Sequence, residues 1–175
     1  MIITIDGPVA SGKSSMAKAL AKELGFHYLN TGLLYRASAY VLMHVRGLTE
    51  LTDELIQSFS VQDLQTINEL EFSCIHSGLH VVWRGKELTH ELAHCEYEKP
   101  ASMIASSRLV REKLLHVQRD IASRYNVVAD GRDCGTVVFP HADTKFFLTA
   151  SVDVRAQRLM NDAKRHVSDA TTFED

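Results

Sequence analysis

A chain of 175 residues, 45% hydrophobic and 23% charged, is long enough for one domain with a sizeable core and room for a small insert. A net charge of -3 and a pI near 6.3 argue against a protein that lives by gripping a nucleic-acid backbone. No apolar run reaches the length of a membrane helix, "MIITIDG" lacks the features of a signal peptide, and Cys74, Cys95 and Cys134 form no C-x-x-C pair, so a reducing cytosol is the expected compartment.

"MIITI" opens the chain as a β-branched apolar run, the mark of a buried strand over 1–6. The stretch "GPVASGKSS" follows, and within it Gly7 to Ser14 spell G-x-x-x-x-G-K-S. In "KSSMAKALAKELG" the residues Met16, Leu20 and Leu24 recur at helical spacing and Gly25 is a natural stop. "FHYLN", 26–30, reads as a second short strand, and a helix over Tyr35–Val45 is expected to close at Gly47.

The middle changes character. "EFSCIHSGLHVVWRGKEL", 71–88, holds two extended runs joined at Ser77-Gly78, then a Gly85-Lys86 turn. That is a local antiparallel hairpin signature, and 59–99 is expected to form the heart of an inserted subdomain. A long helical stretch returns over Ala101–Arg124. "NVVAD", 126–130, and "KFFLT", 145–149, are short buried-type strands; 152–165 is helical and basic on one side; the tail 166–175 carries no obvious structure. Strands alternating with helices predict an α/β fold, with a mostly parallel sheet flanked by helices on both faces.

Each residue of the glycine-rich loop has a physical use. Gly7 and Gly12 permit positive φ and close approach of the backbone to a ligand. The loop amides then face phosphate oxygens, helped by the positive end of the following helix. Lys13 reaches the β and γ phosphates, and the Ser14 hydroxyl suits Mg²⁺. A competing motif, "HELAH" from His90 to His94, matches the H-E-x-x-H zinc protease pattern with Glu91 as base. It arises by chance roughly ten times more often than the loop motif, and Tyr97 and Pro100 stand where the extended form wants Gly and His. Two partly exposed histidines are the expectation there.

Three further clusters bear on the acceptor. In "ADGRDCGTVVFP", Asp130 or Asp133 can hold a Mg²⁺ hydration shell from the end of a strand, and Arg132 can clamp an oxyanion. In "NTGLLYR", Thr31 can donate to an anion at a helix start, with Arg36 one turn on. In "SRLVRE", Arg108 and Arg111 read by default as a charged helix face, with Ser102 six residues before Arg108.

Together "GPVASGKSS", "YLNTGLLYR", "PASMIASSRLVREKLL" and "VVADGRDCGTVVFPHADTKFFLTASVDVRAQR" resemble the bacterial cytidylate kinases, from Met1 to about Arg158. The resemblance implies a P-loop nucleoside monophosphate kinase fold. Its core would span 1–35 and 106–152, its acceptor-binding insert 36–105, and its lid 153–175. It implies ATP and Mg²⁺ as cofactors and CMP and dCMP as substrates, in a cytoplasmic monomer with neither nucleic acid nor membrane as partner. Gly7, Pro8, Val9, Ala10, Ser11, Gly12, Lys13, Ser14 and Ser15 would bind the ATP phosphates. Thr31, Tyr35, Arg36 and Arg132 would hold the acceptor phosphate, and Ser102, Arg111 and Asp133 would read the cytosine edge. Lys13, Arg132 and Asp130 would be catalytic, with Ser14 and Asp130 organising Mg²⁺ (the latter through water), and Arg155 and Arg158 would open the lid.

Two departures stand out. Asn30 occupies a position where the family usually has Asp, with a modest effect expected. The family pattern also continues past the lid to a fifth strand and a final helix, whereas this chain ends at Asp175. Strand 145–149 is then expected to be an exposed edge. The expectation that follows is a shortened chain that binds ATP yet transfers phosphate poorly. A third alternative is another P-loop kinase of a small metabolite.

Overall fold

The computed structural model describes residues 1–75, 78–93 and 95–171. Four parallel strands form the central sheet: β1 (Ile2–Asp6), β2 (His27–Asn30), β6 (Val127–Gly131) and β7 (Thr144–Phe147), in the order β2-β6-β1-β7. The four runs expected from sequence are these strands. Side chains alternate across them, as the two-residue period of a strand requires. Ile3, Ile5, Tyr28 and Val128 pack with Ala17 and Ala21 of α1 (Lys13–Leu24) on one face. Leu29, Val127 and Ala129 pack with Leu34 of α2 (Thr31–Arg46) and Leu114 of α6 (Arg108–Arg124) on the other. Helices therefore cover both faces, and apolar residues fill both sides of each central strand.

The register lines up the strand ends that matter. Asp6 pairs with Gly131, and Asn30 pairs with Asp130. The carboxyl ends of β1, β2 and β6 thus open at one level, where crevices of parallel sheets bind ligands. β7 forms an edge of this sheet and all four of its residues are exposed, including Phe146 and Phe147.

α2 stops at Gly47, whose φ of 62° suits a glycine cap. Two short helices follow, α3 (Asp53–Gln57) and α4 (Val61–Gln65). A three-stranded antiparallel sheet comes next: β3 (Leu70–Ile75), β4 (Gly78–Trp83) and β5 (Lys86–Glu87). Ser77 of the expected join lies outside the described residues. The second turn centres on Arg84-Gly85, one residue before the expected Gly85-Lys86. Both residues have positive φ, 49° and 79°, the geometry that matches the twist of a two-residue hairpin. Leu79, Val81 and Trp83 of β4 share one buried cluster with Leu29, Leu34 and Leu114. The insert is therefore packed onto the parallel sheet's own core.

Two expectations are corrected. The helix over Ala101–Arg124 is two helices, α5 (Glu98–Ile104) and α6, broken at 105–107. The main-chain N–H groups of Ala105, Ser106 and Ser107 close the end of α5, and Ser107 turns extended before α6 begins. The tail is not structureless from residue 166: α7 (Val152–Thr171) runs on through it, while residues 172–175 lie outside the described residues.

Candidate active site

The loop between β1 and α1 has no spare volume at its first glycine. A Cβ on Gly7 would lie 2.1 Å from the Leu148 carbonyl oxygen. Gly12 has φ of 96°, and Ala10 adopts a left-handed φ of 58° without being glycine. Such backbone persists only where its surroundings hold it, and it clusters at functional sites. Gly12 caps α1 without a side-chain hydrogen bond, and the first turn carries no acid. By contrast α2, α3 and α4 are capped by Asn30, Thr52 and Ser60. The amino end of α1 thus keeps its positive field and free N–H groups for an anion. Ser11 Oγ is buried in the same loop with no partner among the described residues.

Lys13 Nζ donates to the Pro8 carbonyl at 3.2 Å. Burial lowers its pKa below the ordinary lysine value, and the Arg132 guanidinium adds to the effect. Arg132 itself donates to the Gly7 carbonyl at 2.8 Å. From α7, Arg155 donates to the Ala150 carbonyl at 3.2 Å and the Val9 carbonyl at 3.5 Å, and Arg158 to the Ala10 carbonyl at 3.0 Å.

A buried carboxylate closes the floor. Asp130 is the penultimate residue of β6 at 3% exposure, and its Oδ2 accepts from Ser14 Oγ at 2.5 Å. Burial raises its pKa, opposed by its hydrogen bonds to Ser14 and Tyr28 and by the charges of Lys13 and Arg36. Hydroxyl and carboxylate together form an all-oxygen donor pair of the kind a hard divalent cation takes. Thr31 sits at the start of α2, but its hydroxyl donates to the Asp130 carbonyl at 2.7 Å. It ties α2 to β6, so its side chain is already committed.

The opposite wall carries the remaining residues. Tyr35 and Arg36 project from the first turns of α2, Ser102 from α5, Arg111 from α6, and Asp133 follows β6; all five line one cleft with the glycine-rich loop. Arg36 Nε is buried without a partner among the described residues, and burial lowers the guanidinium's pKa. Arg111 and Asp133 form an ion pair at 2.5 Å, with side chains 44% and 32% exposed. An exposed pair of this sort is worth little by itself, so a ligand that matches both partners can replace it at small cost. The cleft measures about 1760 Å³ and also takes in Lys13, Asp130, Arg132 and Arg158. Gly7, Pro8 and Arg155 are not among the residues that line it. A typical site for one small molecule is about 300–1,000 Å³, so this one has room for two.

Two residues that hold the walls of the cleft in place escaped the sequence. Asp6 accepts from the main-chain N–H groups of Cys134 and Gly135, at 2.8 and 2.7 Å, and so fixes the π-helical turn Cys134–Val138 that follows Arg132 and Asp133. Its signal was present: a carboxylate at a strand end, like Asp130. Tyr28 donates to Asp130 Oδ1 at 3.0 Å from mid-strand, where no motif marks it. Of the zinc protease pattern, Glu91 sits in a short 3₁₀ turn and pairs with Lys86 at 2.7 Å, while His94 lies outside the described residues.

A family model described as cytidylate kinase matches residues 3–175. The chain belongs to the cytidylate kinase family. Its relatives in that family include the cytidylate kinases of Streptococcus pneumoniae serotype 19F (strain G54), strain Taiwan19F-14 and serotype 4 (strain ATCC BAA-334 / TIGR4). Each is 41% identical over 157 residues, covering 89% of this chain and 68% of the relative. Asn30, the departure from the usual cytidylate kinase pattern, caps α2: its Oδ1 accepts from the Leu33 N–H at 3.2 Å. Asn and Asp cap helices about equally well, so this cytidylate kinase family member keeps the local fold without the charge.

Proposed function

We propose that this nucleoside monophosphate kinase transfers the γ-phosphoryl group of ATP to the 5′-phosphate of CMP, and of dCMP, giving the diphosphates. The observation that carries the reading is the cleft itself. An uncapped helix with Lys13 stands at one end of it, and Arg36, whose buried Nε has no partner among the described residues, lines it from the acceptor wall.

In this reading Gly7 to Ser15, Arg155 and Arg158 hold the ATP phosphates. Tyr35, Arg36 and Arg132 serve the acceptor phosphate, and Thr31, whose hydroxyl is held by the Asp130 carbonyl, fixes the start of α2 that carries two of them. Ser102, Arg111 and Asp133 read cytosine: a carboxylate accepts from its amino group, while a guanidinium and a hydroxyl donate to O2 and N3. A base lacking the matching group leaves these polar groups unpaired and is rejected. Ser14 and Asp130 would hold Mg²⁺, which when bound supplies charge neutralisation on the donor phosphates. The unpartnered Ser11 Oγ and the paired oxygens of Ser14 and Asp130 fit that load.

Transfer is in line and direct. The acceptor oxygen is already an anion, so no general base is needed. Lys13 and Arg132 neutralise the charge that spreads over the moving phosphoryl group, and catalysis is positioning plus electrostatics. Closure of α7 over the loop excludes water, the competing acceptor. The division into a core of 1–35 and 106–152, an acceptor insert of 36–105 and a lid from 153 belongs to the same proposal. So do a monomeric state and a cytoplasmic location. Among the described residues no helix is long and apolar enough to cross a membrane.

A coupled assay with ATP, Mg²⁺ and each monophosphate tests the proposal. Turnover with CMP and dCMP of order 1–100 per second is expected and would refute the alternative of a chain that binds ATP yet transfers phosphate poorly. Equal or better use of UMP or AMP overturns the substrate assignment.

A further inference from the structure

Tyr28 stands behind the active site and does not line the cleft. The parallel register explains how it reaches the site. Tyr28 pairs with Val128, and Asp130 lies two residues further along β6 on the same face. A long aromatic side chain spans that diagonal. The same face carries α1, whose first turn brings in Ser14. Asp130 therefore meets two donors from opposite sides: Tyr28 Oη on Oδ1 at 3.0 Å and Ser14 Oγ on Oδ2 at 2.5 Å. Tyr28 is 8% exposed and Asp130 3%.

A carboxylate with one donor can rotate and present either oxygen. A second donor on the far oxygen fixes its plane and assigns each oxygen a task. Partners that orient a metal-binding group in this way tune its affinity without touching the metal. We propose that Tyr28 is a positioning residue of this active site: its hydroxyl locks the Asp130 carboxylate so that Oδ2 faces Ser14. The inference rests on the reading of Ser14 and Asp130 as the Mg²⁺ corner.

The test compares ATP binding by calorimetry in excess EDTA and in saturating Mg²⁺ for the wild-type chain, Tyr28→Phe, Asp130→Asn and the double variant. The wild type is expected to gain affinity from Mg²⁺. Tyr28→Phe should keep its EDTA affinity within about twofold and lose about tenfold of that gain. Asp130→Asn should lose the gain, and adding Tyr28→Phe to it should change nothing more, since Tyr28 acts through Asp130. A full Mg²⁺ gain in Tyr28→Phe, an equal loss in EDTA and in Mg²⁺, or additivity in the double variant overturns the role of Tyr28 alone. A full gain in Asp130→Asn overturns the Mg²⁺ corner, and the role of Tyr28 with it. Should Tyr28→Phe fail to fold, the ¹³Cζ resonances of labelled tyrosine in the wild type and Asp130→Asn decide. Loss of the carboxylate should shift Tyr28 most among the chain's five tyrosines, and an unmoved Tyr28 overturns the proposal.

Discussion

The two walls of the cleft hold their cations in opposite ways. On the wall around the glycine-rich loop, proposed as the donor wall, Lys13, Arg155 and Arg158, with Arg132 beside them, all donate to main-chain carbonyls of the loop or of the segments beside it. On the opposite wall, proposed for the acceptor, Arg36 keeps a buried Nε without a partner among the described residues, and Arg111 is held by a half-exposed ion pair. The cations of the donor wall thus each hold a main-chain carbonyl before any nucleotide arrives, while Arg36 Nε on the acceptor wall holds none among the described residues. The contrast has a physical cause. Loop carbonyls are the one acceptor set always at hand near a glycine-rich loop, whereas α2 and α6 commit their own carbonyls to their own helices. Donor-wall cations must exchange a carbonyl for a phosphate oxygen. Arg36 only has to receive one.

The largest break in this comparison is Lys13→Met. It removes the partly buried lysine at the loop end of the cleft, proposed to meet the transferring group. A fall in kcat of roughly 10²–10³ is expected, with melting temperature little changed. Initial-rate kinetics at saturating ATP and CMP check it.

Next come the two arginines that differ most. Arg36→Met removes a cation that burial disfavours, so the nucleotide-free chain should melt higher, by about 2–4 °C if about 1 kcal/mol is recovered. Its KM for CMP should rise at least tenfold, because a charge-assisted bond to the acceptor is lost. Arg132→Met removes a partner of the Gly7 carbonyl and should lower the melting temperature instead. Opposite signs in the two melts support the contrast between the walls; the same sign refutes it.

Much of this was legible in the chain, and what escaped was non-local. The four core strands and the glycine-rich loop are local patterns: a β-branched run, fixed spacing and a helical repeat. The set Arg36, Ser102, Arg111, Arg132 and Asp133 was legible only because several motifs stood in order. The turn at Cys134–Val138 was not, since Asp6 holds it from the far end of the chain. Tyr28 meets Asp130 through a strand register that no local pattern encodes. The break at 105–107 was signalled by Ser106-Ser107 ahead of Arg108, a helix-start composition hidden inside a continuous helical repeat.

A smaller effect sharpens the acceptor wall. Asp133→Asn replaces an acceptor by a group that also donates. Discrimination of CMP over UMP, read as the ratio of their kcat/KM values, should fall by about tenfold or more. The exposed pair with Arg111 adds little stability, so the melting temperature should stay within about a degree. A large drop in stability instead makes Asp133 a structural residue.

The smallest effect comes from a pair outside the cleft that looks alike and differs in kind. Arg46 meets Asp63 through two bonds, at 2.8 and 2.5 Å, and the same carboxylate completes the capping box of α4 with Ser60. The Arg46 guanidinium and the Ser60 N–H hold the Asp63 carboxyl well below the usual carboxylate range. The unfolded chain binds that proton at the ordinary value of 3.8, the folded chain only at lower pH. The pair's contribution is therefore complete above that value and is lost as pH falls through the folded one. Asp63→Asn should lower the melting temperature by about 2–4 °C between pH 5 and 7, and the gap should begin to narrow only as pH falls below about 4, from the unfolded value of 3.8 toward the lower folded one. Thermal melts across that range check it. Unlike Arg111–Asp133, this pair has every oxygen committed within the fold, and its loss should leave the CMP kinetics unchanged.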